Sequence, residues 1–366
     1  MSEKKKKVII GLSGGVDSAT AVYFLKEAGF EVIGLTLKML PDAIERACGA
    51  GEGFRVCCSK EAVMEAKICA MKLGISHYVI NCSEDFETKI IDYFSSDYLS
   101  AKTPNPCVFC NKYIKFKYLV EYAAMMGADY VSTGHYADIA FNTTYGRRLL
   151  CKPADEGRDQ SYMLCMLPFE YIEKIILPLG PYRKSETRAC AEKLGLIVAD
   201  KPDSQEICFI PDGDYAGFIA GRKNSREKIK AGNIVDIKGK ILAKHNGLIN
   251  YTVGQRRGLN IAHKEPLYVI KLDAERNEVI VAEAAFASKS EFFVSGLNLH
   301  SGAPFIDGRE YEVKIRYKHN PVRAVIKTLN DNRARVTLSK AERGVTPGQI
   351  LAVYDGPFLL GGAVIE

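Results

Sequence analysis

Gly11-Leu12-Ser13-Gly14-Gly15-Val16-Asp17-Ser18 is the stretch whose reading decides the fold. It follows a short apolar run at 8–12 and precedes a helical period over 18–28 closed by Gly29, so it reads as a strand-to-helix turn. At such a turn the backbone N–H groups and the helix dipole bind anions. Gly14 and Gly15 allow the backbone to approach phosphate oxygens closely, and Ser13 and Ser18 offer hydroxyls. Asp17 is placed to orient Mg²⁺ on pyrophosphate. The spacing is neither G-x-x-x-x-G-K-[ST] nor G-x-G-x-x-G, which counts against kinase-like and dinucleotide readings. A glycine-rich turn with no ligand is the competing account.

Working outward, further apolar runs at 31–37, 78–81 and 130–133 read as strands. Helical periods at 60–73, 84–100 and 112–126 alternate with them. This rhythm predicts an α/β fold, a parallel sheet with helices on both faces. More helix is expected at 161–167, 171–176 and 184–194. Beyond Gly213 the texture changes to short β-type runs at 233–237, 268–272, 278–282, 311–316, 324–328, 335–339 and 350–354, separated by Gly, Asn and Asp. These predict two small β-barrel-like units. The expected division is a catalytic domain at 1–213, a central small β domain at 214–285 and a C-terminal β-barrel at 286–366.

The composition, 47% hydrophobic and 26% charged over 366 residues, is that of a soluble globular protein. No apolar run approaches a membrane span, and the lysine-rich start lacks a cleavage site, so a cytoplasmic protein with no membrane partner is expected. Eleven cysteines, an odd number, fit a reducing compartment better than a disulfide framework. Cys69, Cys82, Cys165 and Cys190 sit among apolar neighbours and are expected to fill core. Residues 221–366 carry 24 Lys and Arg against 15 Asp and Glu, while residues 1–220 carry 26 against 29. A basic second half points to a polyanion partner, though a solvated basic surface has the same composition.

A second constellation is Thr103-Pro104-Asn105-Pro106-Cys107-Val108-Phe109-Cys110-Asn111, read as a proline-stiffened loop with a C-x-x-C pair. A third cysteine lies in Asp203-Ser204-Gln205-Glu206-Ile207-Cys208. In a reducing compartment these are candidate reactive thiols. A structural zinc site that adds Cys57 and Cys58, or inert packing, explains the same spacing.

Several strings in order resemble the tRNA 2-thiouridylase family of PP-loop ATP pyrophosphatases along almost the whole chain. They are GLSGGVDS at 11–18, CCS at 57–59, TPNPCVFCNKYIKF at 103–116, STGHYA at 132–137 and RDQSYML at 158–164. DSQEICFIPDGDY at 203–215, YTVGQRRGL at 251–259, IRYKHNPV at 315–322 and PGQ at 347–349 complete the series. The resemblance implies a transferase that uses ATP and Mg²⁺ to adenylate O2 of the wobble uridine, after which sulfur attacks C2 and expels AMP. It implies ATP contacts at Gly11, Leu12, Ser13, Gly14, Gly15, Val16, Asp17 and Ser18, at Leu37, which stands where the family usually has Met, and at Gly134. It implies tRNA contacts at Asn105, His135, Arg158, Asp159, Gln160, Arg316, Tyr317 and Gln349. In the family's persulfide scheme Cys208 accepts sulfane sulfur from a sulfur carrier or cysteine desulfurase relay, and Cys110 is the second thiol. Cys107 stands where the best-known branch has aspartate. With Cys110 and Cys208 it makes a set able to hold three irons of a [4Fe–4S] cluster, the rival to the persulfide. The free protein is expected to be monomeric. A PP-loop amide ligase would share the glycine loop but leaves the cysteines and the basic second half unused. A tRNA-binding or sulfur-relay protein that only holds ATP would have no use for Asp17, Cys110 and Cys208 together.

Overall fold

Val8, Ile9 and Ile10 are wholly buried, and so continuous a run belongs to a strand covered on both faces. In the structure, a computed structural model that describes residues 5–42, 44–45, 59–202, 206–222, 225–330 and 332–366, they form the middle of a five-stranded parallel sheet. The expectations resting on Cys57, Cys58 and Asp203-Ser204-Gln205 lie outside the described residues. The chain opens β1 (Lys7–Gly11), α1 (Val16–Glu27), β2 (Glu31–Lys38), α2 (Lys60–Lys72) and β3 (Ser76–Asn81). Two helices follow: α3 (Ser83–Phe86) runs through a π turn at Glu87–Ile91 into α4 (Asp92–Leu99), and α5 (Pro106–Cys110) through a π turn at Asn111–Lys115 into α6 (Phe116–Met125). Next come β4 (Tyr130–Ser132), a hairpin of β5 (Asp138–Asn142) and β6 (Arg147–Cys151), α7 (Phe169–Ile172), β7 (Ile175–Ile176) and α8 (Lys184–Lys193).

The sheet order is β3-β2-β1-β4-β7. Strand order therefore reverses between β1 and β4, and the loops after these two strands flank the crevice in which open α/β sheets bind ligands. Alternation along β1 feeds both faces: Ile9 joins the apolar cluster that holds Leu37, Met39 and Cys110, while Val8 and Ile10 join the cluster under α1. Each such fully buried aliphatic side chain contributes about 1.5–3 kcal/mol against exposure.

Two expectations fail here. Residues 171–176 are not one helix: α7 ends at Ile172, and Ile175–Ile176 pair with Val131 and Ser132 as the fifth parallel strand. At 161–167 only a 3-10 turn, Ser161–Leu164, forms. Both segments are apolar and short, where periodicity does not separate strand from helix. The β5–β6 hairpin, which local sequence pattern does not mark, leaves the N-terminal half and joins the C-terminal sheet through Phe358↔Cys151.

The second half begins with α9 (Tyr215–Gly221), whose Ile219 packs into the cluster around Cys110. β8 (Gly232–Val235), β9 (Ile241–His245), β10 (Leu267–Asp273) and β11 (Glu278–Glu283) form a four-stranded sheet in the order β10-β11-β8-β9, with β8 and β11 parallel. Then β12 (Ser288–Leu299), β13 (Glu310–Lys314), β14 (Val322–Asn330), β15 (Arg333–Arg343), β16 (Ile350–Asp355) and β17 (Phe358–Ile365) close an antiparallel barrel in the order β12-β15-β14-β13-β16-β17, sealed by β12 against β17. Closure leaves only short protected edges, the usual management of all-β units. The barrel is docked on the catalytic half by buried polar bonds. The Tyr162 hydroxyl donates to the Ile350 carbonyl at 2.8 Å, and Asn298 Nδ2 donates to the carbonyls of Cys165 and Leu167 at 2.9 and 2.8 Å.

Candidate active site

The glycine loop leaves β1 under tight restraint. Leu12 N donates to Leu35 O at 2.9 Å and Thr36 Oγ1 donates to Leu12 O at 2.8 Å. Gly14 then takes φ +68°, and a Cβ there would lie 2.3 Å from the Ala62 carbonyl of α2, so no other residue fits. Inside the loop, Ser18 Oγ accepts from Ser13 N at 3.2 Å and donates to Gly15 O at 3.1 Å. Ser18 thus braces the turn, and exposed Ser13 keeps its Oγ 3.2 Å from Ser18 Oγ. Gly15 is the N-cap of α1 and no side chain caps this end, leaving first-turn N–H groups for an anion. Gly134 closes in from the loop after β4, where a Cβ would stand 2.6 Å from Ser18 N. Buried Leu37 and Met39 supply an apolar wall on β2 and just beyond it. The cradle a Cβ would fill, the uncapped helix end and the apolar wall together fit ATP. Asp17, at the first turn of α1, keeps a 29% exposed side chain and would hold the accompanying Mg²⁺.

The cysteine segment is not a loop throughout. Pro106 sits at the first position of α5, and Asn105 Oδ1 accepts from Val108 N at 3.4 Å as its cap. Cys107 and Cys110 are therefore on one helical turn. Cys110 is 6% exposed, its Sγ 3.9 Å from Met39 Sδ, at the edge of a π turn. Single π turns inside helices recur at functional sites. Cys208 is half-buried and packs against the same extended apolar cluster that holds Cys110. Cys107 is half-buried and lies close enough to act on Tyr215 and Tyr317, raising both phenols beside the larger effect of burial. Among the described residues no three His, Cys, Asp or Glu side chains converge as a metal-holding group. No step is routed through a cluster. Cys69, Cys82 and Cys165 are core as expected, while Cys190 is only half-buried.

The residues expected to meet tRNA form two groups. Arg158 and Asp159 come up to Tyr317, whose phenol is raised by burial first and then by Asp159. Asp159 accepts from Ser161 N at 2.9 Å and pairs with Lys314 at 3.6 Å, and Arg316 Nη1 donates to Arg343 O at 3.0 Å. Gln160 looks inward: its Oε1 accepts from Tyr136 N and its N–H donates to Tyr136 O, both at 2.8 Å. At the second group, Gln349 Nε2 donates to Thr103 O and Thr103 N donates to Pro347 O, both at 2.8 Å, tying the barrel to the approach to α5. His135 Nδ1 lies 2.8 Å from Thr133 Oγ1 and its ring stacks near Phe116. Part of the ring meets solvent, yet its packed surroundings, with Lys115 nearby, push its pKa down to about 3 and keep it neutral.

Sequence reasoning missed three residues here. Lys184 Nζ donates to both oxygens of Asp17, at 2.7 and 2.8 Å, and the Tyr136 hydroxyl donates to Oδ1 at 2.8 Å. Lys201 Nζ donates to the Gly14 carbonyl at 2.9 Å and to Glu65 at 2.5 Å. Tyr136 stood inside a quoted string, but both lysines lie over 160 residues from the loop they touch, and no local pattern marks them.

Comparison with known proteins adds the family. Three family profiles match in succession: the tRNA methyl transferase HUP domain at residues 6–212, the tRNA methyl transferase PRC-barrel domain at 222–283 and the aminomethyltransferase beta-barrel domain at 289–365. A tRNA-specific 2-thiouridylase MnmA from Acetivibrio thermocellus is 44% identical over 362 residues, 99% of each chain. One of the same description from Clostridioides difficile is 42% identical over 361 residues, 99% of this chain and 98% of that one. MnmA 1 of Thermoanaerobacter pseudethanolicus is 45% identical over 368 residues, 100% of this chain and 99% of the other. A glycine cradle at the switch point, two cysteines packed on one extended apolar cluster and relatives this similar over their full length lead to one assignment: the chain belongs to the tRNA-specific 2-thiouridylase family.

Proposed function

We propose that this enzyme is a tRNA-uridine 2-sulfurtransferase that exchanges O2 of a wobble uridine for sulfur at the cost of ATP. The observation that carries the reading is the placing of both chemistries at one end of the sheet: the glycine cradle follows β1, and Cys110 Sγ lies 3.9 Å from Met39 Sδ just beyond β2, the parallel neighbour of β1. A base extruded from the anticodon stack would there be reached by nucleotide and thiol at once. The uracil carbonyl oxygen attacks the α-phosphorus, pyrophosphate departs, and O2 becomes part of a leaving group. Gly14, Gly15, Ser13 and the first turn of α1 hold the phosphates, and Mg²⁺ on Asp17 would offset their charge.

Cys208, the more accessible of the two thiols, accepts a sulfane sulfur from a relay protein and becomes a persulfide. The Cys110 thiolate attacks Sγ of Cys208, forms the Cys110–Cys208 disulfide and releases hydrosulfide. Hydrosulfide adds at C2, AMP leaves with the old O2, and an external dithiol reduces the disulfide. Neutral His135 lends a stacking and hydrogen-bonding surface rather than a charge.

The test supplies unmodified tRNA, MgATP and a persulfide donor to protein purified without oxygen, and quantifies 2-thiouridine against bound iron. Thiouridine made by iron-free protein, and abolished by Cys208→Ser and by Cys110→Ser, is expected. Product that scales with iron would replace the persulfide step. No product in either regime, with tRNA still bound, would sink the sulfurtransferase reading.

A further inference from the structure

The first turn of α1 carries an arrangement that the reaction scheme leaves unused. Asp17 is the acidic side chain of the glycine loop, and it is not simply presented to solvent. Lys184, from the start of α8, straddles both of its oxygens, while the Tyr136 hydroxyl donates to Oδ1 from the opposite strand's loop. The Lys184 ammonium also stands 5.6 Å from the centre of the Tyr136 ring. The three groups come from three separate segments, after β1, after β4 and on α8.

Exposure gives the arrangement a direction. The Lys184 side chain is 9% exposed and the Asp17 side chain 29%. The ammonium is thus the more buried partner, and it is committed to both carboxylate oxygens rather than to solvent. Lys184 is also fixed at its own backbone, where its N–H donates to Asp155 Oδ2 at 2.9 Å. Tyr136 is held by Gln160 through both of its main-chain groups.

We propose that Lys184, with Tyr136, is a positioning pair for Asp17. It fixes the carboxylate's orientation and partly neutralises it, so that Asp17 would hold Mg²⁺ loosely and in one place. Orientation of a metal-binding carboxylate by outer hydrogen bonds is a general device, and a charged neighbour changes how strongly it attracts a cation. The same contacts in a merely structural role would pin α8 to α1 and do nothing to the metal. This inference rests on the ATP reading given above.

Its test uses the full-length enzyme with Lys184→Met, which keeps the stem and removes the charge, together with Lys184→Arg, Asp17→Asn and the double variant. Two readouts are taken: Mg²⁺-dependent binding of α,β-methylene-ATP by calorimetry, and AMP release in the presence of unmodified tRNA. Thermal melting reports folding separately. In Lys184→Met the uncompensated carboxylate should hold Mg²⁺ more tightly, lowering the half-saturating concentration at least about threefold. AMP release should fall on the order of 10- to 100-fold, because the ion is misplaced. Lys184→Arg should restore part of it, and the double variant should be no slower than Asp17→Asn alone, as expected of residues that act as a unit.

Losses that multiply in the double variant would overturn the proposal, since Lys184 would then act independently of Asp17. So would a lower melting temperature with Mg²⁺ dependence and AMP release unchanged. If wild-type enzyme binds the analogue but releases no AMP with tRNA, the sulfurtransferase reading fails, and the Mg²⁺ shift by itself still decides for or against Lys184. If wild type binds no nucleotide at all, both readings fall.

Discussion

Gly14 shows how much one missing side chain carries. Its φ of +68° disfavours any L side chain, and the Ala62 carbonyl occupies the place of a Cβ. Gly14→Ala should destabilise the fold by about 1–3 kcal/mol and abolish binding of an ATP analogue, seen as a lower melting temperature and a flat calorimetric trace. At His300 the consequence is a pH dependence. This side chain is wholly buried, within 2.9 Å of the Leu167 carbonyl through Nε2, and burial pushes its pKa down to about 4. An unfolded histidine titrates near 6.5, so the unfolded chain binds the extra proton first as pH falls. The neutral ring's contribution is therefore intact above pH 6.5 and is lost as pH drops toward 4, by about 1.4 kcal/mol per pH unit at most. Urea melts at pH 7, 6 and 5 should show that slope, and His300→Gln should flatten it. The glycine's role was legible in the sequence because glycine spacing maps directly onto a turn. The burial of His300 was not, because it depends on β12 passing over residues 165–167, a contact more than 130 residues long.

At the scale of elements, α5 decides where the cysteines point. The reading of 103–111 as a stiffened loop saw two prolines and missed that Pro106 has the φ a first helical residue needs, with Asn105 ahead of it as cap. Asn105 was expected to contact tRNA, and the two roles separate experimentally. Capping requires a side-chain oxygen, which Asp supplies and Ala does not. Asn105→Ala should cost about 1 kcal/mol and lower thiolation with it, while Asn105→Asp should restore stability. If Asn105→Asp regains stability and kcat, the cap is the function; if it regains stability alone, the tRNA contact is real as well. Elements with a strong period, such as α2 and α6, fall within a few residues of their sequence-based positions. The hairpin β5–β6 escaped because its strand Asp138–Asn142 is partly exposed and finds its partners in a barrel formed by residues 288–365. Strand identity there is set by tertiary pairing, which local propensity does not contain.

Across the whole molecule, the charge asymmetry read from the sequence acquires a location. Thr346 Oγ1 donates to the Val253 carbonyl at 3.3 Å and the Arg343 guanidinium lies over the Tyr268 ring, which seats the segment 251–268 of the central sheet on the barrel. That segment presents exposed Arg256, Arg257 and Lys264. Arg316 is bonded to the Arg343 carbonyl beside it, and Gln349 links the same barrel to Thr103, three residues before α5. A basic track thus spans the central sheet and the barrel, suited to a phosphate backbone. Arg256→Gln combined with Arg257→Gln removes two exposed charges. It should weaken tRNA binding uniformly across tRNA sequences and reduce the slope of log K against log salt by roughly one for each phosphate that is no longer neutralised. The rate of thiolation at saturating tRNA should stay within about twofold of wild type, since uniform binding energy alters KM rather than kcat. Gln349→Ala should behave in the opposite sense. It leaves the basic track intact and loosens Thr103, so tRNA affinity should hold while thiolation at saturating tRNA declines. Filter-binding titrations at three salt concentrations, paired with single-turnover thiolation, separate the two. An unchanged salt slope in the double arginine variant would move the tRNA off this track, and a wild-type single-turnover rate in Gln349→Ala would show that the barrel holds the RNA without helping to set α5.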